Sequence, residues 1–108
     1  MKVTRRYSGA TREAVVLLGQ EVRLARKQRR WTVRDLAERL GASPATVLKI
    51  EQGAPTVAIG TVFEAATLVG IQLYQDPQRR RIEQEHVAAL LAALPTRVAR
   101  ANQPDDDF

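Results

Sequence analysis

The sequence predicts an all-α fold of five short helices, with one short β-strand and a polar C-terminal tail. Three observations carry this. In five separate stretches apolar residues recur at spacings of three and four, the period of a helix with one buried face. Gly41, Gly53, Gly70 and Pro95 fall where those stretches end, and Thr32 and Ser43 stand where two of them begin. Alternation of apolar and polar residues, the mark of a half-buried strand, is confined to residues 71–74, IQLY.

Residues 1–10 read as a loose basic arm. A first helix runs from Thr11 to about Arg29, with Val15, Leu18, Val22 and Ala25 on its apolar stripe. Trp31 packs beside the connection that follows, as a core or interface anchor; the other reading is a base-stacking platform. Only five aromatic residues occur and they do not cluster, which favours the anchor. Thr32 is a good N-cap for the second helix, with Asp35 three residues on as in a capping box. Leu36, Ala37 and Leu40 form its buried stripe, and Gly41 sits where a left-handed residue ends a helix. Ser43 caps the third helix, and Pro44 fits its first position, where no N–H is needed. Val47 and Ile50 face inward, while Ala45, Thr46 and Lys49 point outward; Gly53 stops the helix.

A Pro-containing connection over residues 54–57 leads to a fourth helix, Ile59 to Val69, with Ile59, Val62, Phe63, Ala66 and Val69 apolar. Ala58 offers no side-chain cap. Ile71, Gln72, Leu73 and Tyr74 follow Gly70 too closely to begin a helix and are bounded by Asp76–Pro77, so they read as a strand. A lone strand is unstable, and no second candidate of similar quality exists in the chain. The simplest pairing is with the same strand of a second copy, across a two-fold axis. A fifth helix spans Arg79 to Leu94, with Ile82, Val87, Leu90, Leu91 and Leu94 apolar, and Pro95 ends it. Residues 95–108 are polar, carry three aspartates before a terminal Phe, and read as a disordered tail. The predicted organisation is therefore an arm (1–10), a helical domain (11–75) containing strand 71–74, a C-terminal helix (79–94) and a tail (95–108).

Cysteine is absent, which removes disulfides and thiolate metal sites and fits a reducing cytoplasm. No apolar run approaches the ~20 residues that cross a bilayer, so no membrane partner is expected. The N-terminal MKVTRRYSG is basic without the apolar stretch of a signal peptide. Charge is uneven: residues 1–53 hold 12 Lys and Arg against 5 Asp and Glu, and residues 54–108 hold 5 against 7. A basic half joined to a mildly acidic one fits a polyanion-binding module with a different element appended.

The chemistry concentrates in Thr32–Gly53, TVRDLAERLGASPATVLKIEQG. Two helices around a tight glycine turn can expose the first half of the second, and an α-helix with small side chains fits the DNA major groove. Ser43 and Thr46 can donate to phosphates or base edges; Ala45 or the Pro44 ring can meet a thymine methyl; Lys49 can reach guanine N7 and O6, or a phosphate. Backbone N–H groups near Thr32–Arg34 and Ser43–Ala45 are natural phosphate sites, supplemented by Arg23, Arg34 and Arg39. An ordinary helical hairpin with solvated arginines shares the caps and the amphipathicity. Ala37, Gly41, the small outward patch and Gly53 at these spacings separate the two in favour of DNA.

On those residues, 19–71 resemble the five-helix Cro/C1 repressor-type (XRE) helix-turn-helix domain, about half of the chain. The resemblance implies that Arg26 pairs with Glu51 inside the domain as a structural ion pair. It also implies that Pro44, Ala45 and Lys49 face bases while Arg23, Thr32, Arg34, Ser43 and Thr46 favour phosphates. The family often carries Gln at the first position of the second helix, and here it is Val33. With few hydrogen-bonding groups at Pro44 and Ala45, specificity leans on methyl contacts, Lys49 and DNA shape.

The layout of a fourth helix, one strand, a helix and an acidic tail also resembles antitoxins of the HipB type. That resemblance implies strands 71–74 of two subunits paired as a dimer lid and a HipA-like kinase-fold toxin as partner. The tail, with PTRVAR and then Asp105, Asp106, Asp107 and Phe108, is similar to tails in HipB-like proteins and would contact that toxin. A frayed, unselected terminus is the alternative. No enzyme, cofactor or metal site is expected. His86 is the single histidine, no glycine-rich phosphate loop occurs, and three adjacent carboxylates on a tail are not a preorganised cation site. Two functions remain: a dimeric repressor on an inverted-repeat operator, its own promoter above all, with or without a toxin partner, and a toxin-docking protein with secondary DNA binding.

Overall fold

Each helix of this chain begins and ends on a local signal, and the computed structural model shows which ones operate. It describes residues 6–74 and 76–98, and among them are five α-helices and no strand: α1 (Gly9–Gln28), α2 (Val33–Leu40), α3 (Pro44–Glu51), α4 (Ile59–Leu68) and α5 (Pro77–Ala93). The chain divides into two compact units between Leu73 and Tyr74, the first holding α1 to α4 and the second holding α5. No helix among the described residues is long and apolar enough to cross a membrane.

Within the first unit α1 and α2 each pack against both α3 and α4. Val22, Leu36 and Val47, one from each of the first three helices, are fully buried, and Ala37, Ile50, Ala65, Ala66 and Val69 complete the core. Each large aliphatic side chain so buried contributes roughly 1.5–3 kcal/mol. Gly19 lets α1 come this close to α3. A Cβ there would collide with the Ile50 carbonyl oxygen and lie 3.1 Å from that of Glu51.

Helices α1 to α4 share one way of stopping. In each, two N–H groups past the end fold back onto the last-turn carbonyls, as in Gly41 to Glu38 (3.3 Å) and Ala42 to Ala37 (3.0 Å). That closure needs a left-handed residue. Gly41 supplies it at φ 71° with nothing within 4 Å of its missing Cβ, while at the end of α1 Arg30 adopts it at φ 61°.

The ion pair lies between these helices. Arg26 Nε donates to Glu51 Oε2 at 2.6 Å and Nη2 to Oε1 at 2.9 Å, with both side chains buried. The remaining nitrogen, Nη1, donates to the Trp31 carbonyl at 2.8 Å. One guanidinium thus ties α1 to the end of α3 and to the entry of α2. The hydrogen bonding of Arg26 to the Glu51 carboxylate raises the Arg26 pKa above its ordinary value and outweighs the opposing effect of burial.

The structure corrects several boundaries. Helix α1 starts at Gly9, capped by Ser8, so residues 9 and 10 belong to the helix and not to an arm; residues 1–5 lie outside the described residues. Ile59 is 71 % exposed and takes no part in the core, because the stripe of α4 runs through Ala65 and Ala66. The fifth helix begins at Pro77 with Asp76 as its cap, whose Oδ1 accepts from the N–H groups of Gln78 and Arg79. No residue of α5 is buried. The expected strand does not form in the single chain. The Ile71 N–H is used by the closure of α4, bonding Ala66 O at 2.9 Å, and Tyr74 turns out of any extended run at φ 65°. Only Gln72 and Leu73 lie between these two limits. Residues 99–108, including Asp105, Asp106, Asp107 and Phe108, lie outside the described residues.

Removing one partner of the buried pair strands the other charge. Glu51→Ala is expected to cost about 3–5 kcal/mol, and Arg26→Met combined with Glu51→Leu to recover most of that, both read from urea unfolding. An unfolding midpoint of Glu51→Ala equal to the parent's would remove the pair from the fold's stability.

Candidate nucleic-acid interface

Both helices of the α2–α3 pair begin on well-made caps. At α2, Thr32 Oγ1 accepts from the Asp35 N–H (3.0 Å) while the Asp35 carboxylate accepts from the Thr32 N–H (2.8 Å), a closed capping box. At α3, Ser43 Oγ accepts from the Thr46 N–H (3.2 Å), and the two hydroxyls share a further hydrogen bond at 3.1 Å. These bonds bear on the polar residues assigned to phosphates. The Thr32 N–H and hydroxyl oxygen are both engaged, so the N–H groups of Val33 and Arg34 are what the start of α2 offers. At α3, where Pro44 has no N–H and that of Thr46 is used, Ala45 supplies the open donor.

Helix α3 has two distinct faces. Val47, Ile50 and Glu51 are buried, turned toward α1 and α2. Ala45, Leu48, Lys49 and Gln52 follow the i, i+3, i+4, i+7 spacing of a single helical face, and all four are exposed. Pro44 is exposed at its leading edge, and Thr46 is half-buried to one side. Pro44, Ala45 and Lys49 therefore sit on the solvent side of α3. Leu48 and Gln52 share that side and were not singled out from the sequence. The outward 45–48–49–52 spacing would have found them, had it been weighed by position instead of polarity.

Arg23 on α1 and Arg34 on α2 are exposed on separate helices of the same unit. Arg39 is exposed as well, with its guanidinium stacked 4.0 Å from the centroid of the Trp31 ring, and Arg29 lies 5.4 Å from that centroid. Arg29 also donates from Nε to the Val69 carbonyl at 2.9 Å, covering the end of α4. Trp31 is half-buried against the core, which supports its reading as an anchor. Among the described residues no group of His, Cys, Asp or Glu could hold a metal ion.

The α2–α3 pair joined at Gly41, with one face of α3 buried and the other exposed, agrees with comparison to known families. A family model described as a helix-turn-helix domain matches residues 17–82, more than half of the chain. The protein belongs to the helix-turn-helix domain family. No curated protein and no solved structure matches it. The helix-turn-helix match begins inside α1 and ends inside α5, so it takes in the whole α2–α3 pair. It supports the Cro/C1-like reading of the first unit.

The capping box also gives the helix-turn-helix domain a pH dependence. The backbone N–H of Thr32, then its side chain, and more weakly Arg39 hold the Asp35 carboxyl below the usual carboxylate range. The folded state therefore releases this proton more readily than the unfolded chain. The stabilisation is complete above the unfolded value near ~3.9 and is lost as pH falls through the lower folded one. Asp35→Asn, which resembles the protonated acid, should melt below the parent at neutral pH and converge with it toward about pH 2. A gap unchanged by pH would mean that the charge has no part in the cap.

Proposed function

We propose that this helix-turn-helix protein is a sequence-specific DNA-binding repressor that acts as a homodimer on an inverted-repeat operator in its own promoter, in the cytoplasm. The observation that carries the reading is the outward face of α3, small at Ala45 and cationic at Lys49, presented by a family-matched α2–α3 pair. An acidic side chain on that face would be repelled by the phosphates that line a major groove, and none is there. The net +7 of residues 1–53 supplies the sequence-independent attraction to phosphate. Two copies related by a two-fold axis would set their recognition helices about 34 Å apart, one turn of B-DNA. We propose binding, not catalysis, as the activity.

The finer part of the proposal is an antitoxin of the HipB type, with a HipA-like kinase-fold toxin as partner. Its support is the order of elements: a helix-turn-helix unit, a short non-helical run over residues 71–74, and a second unit that exposes Ile82, Leu90 and Leu91 on its helix and Leu94 at the helix end. A stand-alone regulator shares the first unit and lacks only the toxin.

A footprint on the DNA upstream of the protein's own gene, across a salt series, tests the repressor. A two-fold-symmetric protected site whose affinity falls steeply with salt is expected, and Lys49→Ala should weaken it by about 1–3 kcal/mol. Normal operator binding by that variant would displace the assignment of α3. Removal of residues 103–108 should spare the footprint and reduce neutralisation of a toxin encoded beside this gene. Unchanged neutralisation would take the tail out of the partner contact.

A further inference from the structure

The outward face of α3 carries a residue that neither its caps nor its core packing uses. Leu48 is 45 % exposed, and it belongs neither to the core nor to the half-buried apolar residues around it. It lies one helical turn beyond Pro44 and Ala45 on the same side, so three successive outward positions are apolar. Lys49 borders this strip as its single charge, and Gln52 ends it. A face built to bind phosphates alone would carry hydroxyls and cations at these positions.

The major groove presents one apolar group, the C5 methyl of thymine, and it presents it beside the hydrogen-bonding edges that lysine and glutamine read. We propose that Leu48 is a specificity-determining residue, which reads thymine methyls in the major groove together with Ala45. The proposal rests on the DNA-binding reading above and names the sequence class it selects. Ala45 and Leu48 are three residues apart, about 4.5 Å along the helix axis, a little more than the ~3.4 Å between stacked bases. The two side chains therefore address thymines at neighbouring steps. Lys49 projects about 100° around the helix from Leu48 and takes a guanine on the flank of the same half-site.

The test is selection from a random duplex pool by the full-length protein, followed by replacement of the selected thymines with uracil, which removes only the methyl. The parent should enrich adjacent thymines next to a guanine. Its affinity should fall about fourfold per methyl removed, the equivalent of about 0.8 kcal/mol for a buried carbon group. Leu48→Ala should bind the thymine and uracil duplexes equally at the step it addresses, while Lys49→Ala keeps the methyl sensitivity and loses the guanine preference. Because Leu48 lies outside the core, its variant should unfold at the parent's urea midpoint. Methyl sensitivity undiminished in Leu48→Ala would overturn the proposal and leave DNA binding standing, with Leu48 then free for a protein contact. Failure of the parent to enrich any sequence would overturn the DNA-binding reading itself.

Discussion

A carboxylate and a guanidinium are buried together beside a core made of aliphatic side chains, and the placement of α3 hangs on them. Desolvating two charges is expensive, and a well-packed apolar pair supplies comparable stability. What the apolar pair lacks is direction. Glu51 accepts two bonds from one planar fork, and the third arm of that fork reaches the Trp31 carbonyl. Three contacts of fixed geometry set the rotation of α3 about its own axis. One residue's worth of rotation, about 100°, would turn Lys49 and Leu48 away from the surface they share. Gly19 sets the spacing of the same two helices by letting α1 approach the carbonyls of Ile50 and Glu51. Rotation and distance of the outward face are thus both fixed from α1, on the opposite side of α3.

A second set of contacts works just past the same end of α1. Arg30 closes the helix in a left-handed conformation that glycine provides in α2. The neighbouring Arg29 reaches the end of α4, and Trp31 carries Arg29 and Arg39 around its ring. Three consecutive residues therefore tie together α1, α2 and α4. Arg29 and Arg39 are held at this joint, while Arg12, Arg23, Lys27, Arg34 and Lys49 stay exposed on their helices.

Legibility in the sequence followed range. The Thr32–Asp35 box, the Ser43–Pro44 start and the Gly41 closure each depend on residues no more than five apart, and all three are found where local rules put them. Ser8 was missed because the first turn after it, Gly9–Ala10–Thr11–Arg12, holds no large apolar residue to announce a helix. Asp76–Pro77 is equally a turn and a helix start; only the continuation of α5 decides between them. The strand over residues 71–74 was read from alternation, which cannot register that Ile71 has already spent its N–H on α4 or that Tyr74 bends away. Contacts across the chain, such as Arg29 to Val69, leave no mark in spacing at all. At the candidate site the buried face of α3 was legible, and its exposed face was read only where it was polar or small.

The length of α3 has a consequence of a different kind. Eight residues make a rod about 12 Å long, which lies beside three or four base pairs at ~3.4 Å each. Four base pairs of any given order recur by chance about once in 256, against the roughly 10⁶–10⁹ competing positions of a genome. A single reading head of this size cannot carry an address. Pairing two heads would square the odds, so the homodimer proposed above would draw more of its discrimination from its second copy than from any one contact within the first.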